Sequence, residues 1–296
     1  MNLPDIIKFV IDLLAVLLLA LGIKGLSKVR SAREANILAA FAMLLSVIGL
    51  LIYYGTEGIS AQSWVWIIAG SLVGSLFGTL LAKKVPMTSM PETVALFNGF
   101  GGMSSLLVAI GAFIYPFNQV ANAGSIEPFI NDVSISISIF VGAITFSGSI
   151  VAMAKLQGWL STPGWTQLKA RHFVNIVFGV TSLIAFIYLI SGTNSSPLWL
   201  LVVASTLLGI GVTLPIGGAD MPVVISLLNS YSGIAAAAAG FVVKSQLLIV
   251  AGAMVGAAGL ILTQVMCKGM NRSLISVLFG GSLSAQTTSS SGSGEY

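Results

Sequence analysis

Charge is scarce in this chain: Asp, Glu, Lys and Arg make up 7% of its 296 residues, against roughly 25% in soluble domains. Too few charges remain to solvate a globular surface, which excludes an ordinary soluble fold. Cysteine is almost missing. The single Cys267 allows neither an internal disulfide nor a multi-cysteine metal site, and it reads as a small apolar helix residue. The single histidine, His172, stands beside Arg171 with no second imidazole near it. It reads as a surface residue at a helix start, although imidazole chemistry would suit a proton carrier.

What fills the chain instead is apolar sequence, 56% hydrophobic with a mean hydropathy of +1.00. A hydrocarbon core of about 30 Å needs roughly 20 apolar residues per helical crossing. Runs of that size cover residues 9–26, 35–54, 63–82, 91–115, 134–154, 173–191, 197–214, 221–243 and 246–267. A β-barrel would require shorter segments alternating apolar and polar residues, whereas these runs are solidly apolar and rich in Gly and Ala. The predicted fold is therefore an all-α membrane bundle of about nine transmembrane helices. The first span opens with Asp5, Lys8 and Asp12 rather than a basic leader, and no small-residue cleavage motif follows, so it is expected to stay as a helix. Asp12 can pair with Lys8 one turn earlier or face the outer interface, and it is a weak site candidate.

Cytoplasmic loops collect Lys and Arg. Lys24, Lys28, Arg30 and Arg33 follow the first span, Lys83 and Lys84 the third, Lys155, Lys169 and Arg171 the fifth, and Lys268 and Arg272 the ninth. The other side holds Glu57, Glu127 and Asp132 with only Lys8 and Lys244. Eleven cations against two predict an outside N-terminus and a cytoplasmic C-terminus.

An internal repeat marks the centre. Residues 90–102 read MPETVALFNGFGG and residues 221–233 read MPVVISLLNSYSG. Met, Pro, Leu, Asn and the closing Gly coincide, and both copies start from the basic side, so the repeat is parallel. Transport sites tend to lie where two related halves meet. Ser89 and Asp220 are equivalent N-cap candidates, each followed by a proline in the first turn, where its missing N–H costs nothing. Ser89 and Glu92 also have capping-box spacing. Glu92 and Asp220 can thus cap helix ends or stand at a proton entrance, and sequence leaves both open.

Asn98 and Asn229 each lie seven residues beyond their proline, about 10 Å along a helix and inside the hydrocarbon region. A carboxamide there needs hydrogen-bond partners or water. Interhelical ties are one explanation; with Ser226 and Ser232 on the second asparagine's face, a water-filled polar centre is the other. Small or polar stripes run along neighbouring helices: Gly70, Gly74 and Gly78 on the third, Ser134, Ser138, Gly142, Thr145 and Ser149 on the fifth, and Gly252, Gly256, Gly259 and Thr263 on the ninth. Close helix packing is the default meaning of each, with water conduction along the serine and threonine stripe as the alternative.

The run GGADMPVVISLLNSYSGIAAAAAGF from Gly217 to Phe241, then LLIVAGAMVGAAG and MCKGMNRS, closely resembles the membrane domain of the beta subunit of proton-translocating NAD(P) transhydrogenase. AKKVPMTSMPETVALFNGFGG and VGAITFSGSIVA resemble it as well. The likeness covers nearly the whole chain. It implies a membrane domain that moves a proton inward while hydride passes between NADH and NADP on soluble domains. It also implies a bacterial inner-membrane location, with an NAD-binding alpha subunit, an NADP-binding domain, the lipid membrane and a second copy of the complex as partners, and no nucleic acid.

Position by position, the resemblance implies that Asn229 and Asp220 are functionally sensitive. Asn98 stands where many relatives have a proton-relay histidine, and asparagine can orient water but cannot titrate near neutral pH. Other members lacking that histidine are thought to place one on an alpha-subunit helix. Ala257 and Ala258 stand where serines are often found. Residues 1–281 are read as the proton-channel domain and 282–296 as a Ser, Thr and Gly-rich flexible linker that in the family leads to the NADP-binding domain. No G-x-G-x-x-G follows a predicted strand, so this chain alone is expected to bind neither NAD nor NADP and to catalyse no hydride transfer. The predicted proton pathway comprises Asn98, Asn229, Ser226, Asp220 and Glu92, with Arg272 coupling it to the nucleotide domain. A secondary transporter for a small solute is the competing reading, and a structural anchor with a dry polar centre is the third.

Overall fold

The computed structural model describes residues 3–26, 28, 30–57, 60–115, 127–161, 170–191 and 196–279. Among them nine helices have 18 residues or more: α1 (Leu3–Leu26), α2 (Ala32–Glu57), α3 (Ala61–Lys84), α4 (Met90–Ile114), α5 (Glu127–Leu156), α6 (Ala170–Ile190), α7 (Ser196–Thr213), α8 (Met221–Val242) and α9 (Gln246–Gly269). Eight are long and apolar enough to cross a membrane, and the apolar part of α7, Pro197–Thr213, is shorter. The all-α membrane bundle is therefore observed, and the protein is a multi-pass membrane protein. Helix α5 begins earlier than residue 134 because Asn131 and Asp132 sit inside its first turns rather than in a loop. A further short helix, α10 (Leu274–Phe279), was not expected; Ser273 starts it by accepting the Ser276 N–H at 3.1 Å.

The chain divides into two compact units, one of Met1–Pro86 with Gln246–Ala251 and one of Met87–Ser245 with Gly252–Tyr296. In the first, α1 and α2 pack through small residues: Ala15, Ala35 and Ala42 are buried, and a side chain on Gly25 would come within 2.7 Å of the Ala35 methyl. The Lys8 ammonium lies 4.2 Å from the centre of the Tyr53 ring, and among the described residues no ion pair joins it to Asp12. The ammonium thus rests on an aromatic face, and of the two expectations for Asp12 the direct pair with Lys8 is not formed. The stripe Gly70, Gly74 and Gly78 is uncovered. Among the described residues nothing lies within 4 Å of where side chains on these glycines would sit, and α3 buries no residue.

The second unit contains two related hairpins, with α7 and α6 packed beside α5. Each Met-Pro helix follows a single 3-10 turn, Met87–Ser89 before α4 and Gly218–Asp220 before α8. Helix α4 packs antiparallel on α5 and helix α8 on α9, and each uses the same repeat positions to do so. A side chain on Gly102 would meet Thr145 and the Gly142 carbonyl, the latter at 2.9 Å, while one on the equivalent Gly233 would meet the Gly252 carbonyl and Gly256 Cα, both at 2.7 Å. Close backbone approach of this kind holds helices together where lipid removes the hydrophobic drive. The two hairpins meet at equivalent positions as well: Ser232 Oγ lies 2.9 Å from where a Gly101 side chain would begin. The α5 and α9 stripes are thus packing surfaces, as their spacing suggested.

Two apolar clusters close the unit's ends. Ile135, Ile139, Leu198 and Leu201 with Leu106 and Ala109 form one. Ala95, Ala152, Ile216, Met221, Cys267 and Val277 form the other, at the basic end where α4 and α8 begin. The buried Cys267 is the apolar helix residue expected. Glycine positions with backbone opposite them should not tolerate a methyl group. Gly233→Ala is expected to lower stability by about 1–3 kcal/mol, whereas Gly74→Ala, with open space around it, is expected to be neutral or stabilising by up to about 1 kcal/mol. Thermal denaturation of the detergent-purified protein checks this, and equal midpoints for the two variants would refute the packing argument.

Candidate functional site

The repeat places an asparagine at the same point of two parallel helices, but the two environments differ. Asn98 is 9% exposed. Its Nδ2 donates to Ser149 Oγ of α5 at 3.0 Å, and its Oδ1 is buried with no hydrogen-bond partner among the described residues. An orphaned acceptor in a membrane interior costs about 1–3 kcal/mol, and a water or a donor on another chain would satisfy it. Asn229 is half-buried and, among the described residues, has no hydrogen-bond partner. Each asparagine lies three residues toward the basic end from the Gly101–Ser232 meeting point.

Around them, hydroxyls are largely committed to backbone. Ser226 donates to the Gly259 carbonyl at 3.1 Å and Ser230 to the Gly256 carbonyl at 2.7 Å, tying α8 to α9. Ser226 therefore points its proton at α9 rather than at an asparagine. Ser138 of α5 donates toward both the Ser105 carbonyl of α4, at 3.0 Å, and the Ala235 carbonyl of α8, at 3.2 Å. Thr145 and Thr263 bond back to their own helices. Ser149 belongs to the α5 stripe, but its tie to Asn98 joins residues 51 positions apart and does not follow from spacing along one helix.

At the basic end the two acidic candidates take partners other than helix N–H groups. Ser89 and Asp220 do occupy the N-cap positions, but neither makes a side-chain cap. The Asp220 carboxylate, 9% exposed, accepts from Arg272 Nη1 at 2.7 and 2.6 Å. A charge-assisted bond outcompetes a neutral amide donor at this distance. Glu92 accepts from Nε2 of Gln157, just past the end of α5, at 3.1 Å, and the Ser89 side chain makes no cap, so the capping box is not formed. Arg272 also lines an open cavity of about 410 Å³ with Lys268 and Ser273. Its backbone N–H bonds the Cys267 carbonyl at 3.0 Å across Asn271, whose φ of 52° turns the chain out of α9. His172, half-buried in the first turn of α6, accepts from Arg171 Nε at 3.2 Å. Lys169 and the linker 282–296 lie outside the described residues.

Sequence reasoning missed two residues of this end. Lys155, read only as an orientation marker, is buried and donates to the Leu214 and Ile216 carbonyls. Gln157 carried no signal, because a glutamine just past a helix is ordinary on its own.

Over residues 8–295 the chain matches the family described as NAD(P) transhydrogenase beta subunit. It is 40% identical over 270 residues to the NAD(P) transhydrogenase subunit beta of Rhodospirillum rubrum, covering 91% of this chain and 57% of the relative. The same protein from a named strain of that species matches with the same figures. The chain thus spans a little over half the length of these relatives. With the paired Met-Pro helices in place, the chain belongs to the NAD(P) transhydrogenase beta subunit family.

Proposed function

We propose that this chain is the proton-translocating membrane part of an NAD(P) transhydrogenase, and that it couples inward proton movement to hydride transfer between NADH and NADP+. The hydride chemistry belongs to nucleotide-binding domains outside residues 1–281: an NAD-binding alpha subunit and an NADP-binding domain at the cytoplasmic end. NAD and NADP are the cofactors of that complete assembly. The excess of Lys and Arg at the basic end supports a cytoplasmic placement there, with the N-terminus outside.

The observation that carries the reading is the buried Asn98 Oδ1, without a hydrogen-bond partner among the described residues, at the position matched by Asn229 on a parallel helix. Two carboxamides at one depth can each hold a water and exchange it as the helices shift. Neither can titrate, so the proton is carried by water or by an ionisable group supplied by the alpha subunit. Ser226 can join the route only by releasing Gly259, which makes its hydroxyl a gate rather than a fixed ligand. Asp220 and Glu92 stand at the cytoplasmic mouths of α8 and α4, and Arg272 links the first of them to the segment leading toward the nucleotide domain.

In vesicles holding the assembled transhydrogenase, Asn98→Ala and Asn229→Ala are each expected to slow NADPH-linked proton uptake about tenfold or more, equivalent to about 1.4 kcal/mol per decade. Unchanged uptake in both would refute the path.

Arg272→Gln leaves the Asp220 carboxylate buried without its cation. A cost of about 2–3 kcal/mol is expected, below the 3–5 kcal/mol typical of fully buried pairs, since the Arg272 side chain is 27% exposed. Adding Asp220→Asn should recover part of that loss. A double-mutant cycle on the denaturation midpoint measures it, and strict additivity would show that the pair contributes nothing.

A further inference from the structure

Lys155 lies in the last turn of α5 and is 9% exposed, and its ammonium donates to the Leu214 carbonyl and, at 2.7 Å, to the Ile216 carbonyl. A buried ammonium is costly unless hydrogen bonds replace its water, so a lysine kept here has a task that an apolar side chain could not perform. Its acceptors identify the task. Leu214 closes α7, donating its N–H to the Ile210 carbonyl at 2.9 Å, and Ile216 turns away from it, donating to the Thr213 carbonyl at 3.2 Å. Both carbonyls sit at the negative pole of the α7 dipole, where a cation is favoured. They belong to the connector 214–219, which runs from α7 straight to Asp220.

That connector is seated rather than loose. Ile216 is 1% exposed and Met221 is fully buried, packed with Ala152, Cys267 and Val277. Four residues beyond Ile216, Asp220 meets Arg272. Two residues beyond Lys155, Gln157 reaches Glu92 in the first turn of α4. The end of α5 therefore holds the starts of both Met-Pro helices, one through a side chain and one through main-chain carbonyls.

We infer that Lys155 is a positioning residue whose ammonium seats the connector 214–219 and thereby sets where Asp220 stands for Arg272 and for the proton route at the mouth of α8. This rests on the proposed reading of that mouth. Three N–H donors on a flexible stem suit two carbonyls at different heights along the chain. An uncharged chain of similar length leaves both carbonyls unsatisfied, and the connector then opens locally without the bundle unfolding.

The test uses the assembled transhydrogenase in inside-out vesicles, with Lys155→Met, Lys155→Gln and Lys155→Arg. Cys267, the single cysteine of this chain, is 7% exposed beside Ile216 and Met221, so its modification by a maleimide reports whether the connector stays seated. Lys155→Met is expected to speed Cys267 labelling at least about tenfold and to lower proton-linked turnover about tenfold, with the KM for both nucleotides unchanged. Lys155→Gln should fall between, and it replaces the methionine variant if that one does not accumulate. Lys155→Arg should keep both readouts within about twofold, because it retains cationic donors. The inference is overturned if removing the cation leaves Cys267 protected, if Cys267 is exposed while turnover is normal, if KM rises in place of the fall in turnover, or if the arginine variant fails as the methionine variant does. Normal pumping by Asp220→Asn would instead refute the reading of the mouth, and Cys267 labelling would still decide whether Lys155 seats the connector.

Discussion

One hydroxyl carries more of the second unit than its size suggests. Ser138 Oγ lies 3.0 Å from the Ser105 carbonyl and 3.2 Å from the Ala235 carbonyl, so a single proton is shared between the two repeat copies. That geometry exists only because α4, α5 and α8 approach at glycine and serine positions, with Gly102 against Gly142 and Thr145 and with Gly148 near Leu228 and Thr213. Lipid tails are as apolar as leucine, so burying leucine gives these helices little reason to associate. Contact between backbones and a few shared hydrogen bonds must do it. Small residues are therefore the structural vocabulary of this unit, and large apolar ones mainly face outward.

Where the physics is local, the primary structure was readable. The spans followed from length and hydropathy. The repeat was legible because Met, Pro, Asn and Gly recur at fixed spacing, and its structural meaning extends further than the spacing implied: the recurring glycines Gly102 and Gly233 do the same job against α5 and α9. The caps illustrate what could not be read. Asp220 is a sound N-cap by local rules, but a guanidinium 52 residues away takes its carboxylate. Lys155 looked like a topological marker because nothing local reveals that connector carbonyls some sixty residues later will surround it. Long-range pairing of polar groups is the part of this fold that sequence pattern does not encode. The open glycine stripe of α3 makes the converse point: a packing motif specifies a surface, not its partner.

The two asparagines show why a repeat need not stay symmetric. Asn98 faces Ser149 and is held by it, while among the described residues Asn229 has no such hydroxyl, since its own neighbours Ser226 and Ser230 are committed to α9. The same residue type at the same depth is therefore anchored in one copy and, among the described residues, not in the other. On the proposed reading, that difference is useful: a rigid amide can hold a water in place while a freer one accepts it or lets it pass.

Gating would then fall to the basic end, where the polar ties are few and individually breakable. Helix α10 packs Val277, Leu274 and Leu278 against the same cluster that seats Ile216 and Met221, and Arg272 precedes it by only two residues. Any pull on the segment after α9 acts first on the Arg272–Asp220 bond and on this small apolar contact. Asp220 begins α8, and α8 carries Asn229 about 13 Å further along its axis. A rigid helix of that length transmits a small rotation without needing a relay of side chains. Coupling between a nucleotide domain and a polar centre deep in the bundle thus requires only that α8 have two seatings at its mouth. The ties to Arg272 and Lys155 are what such seatings would exchange.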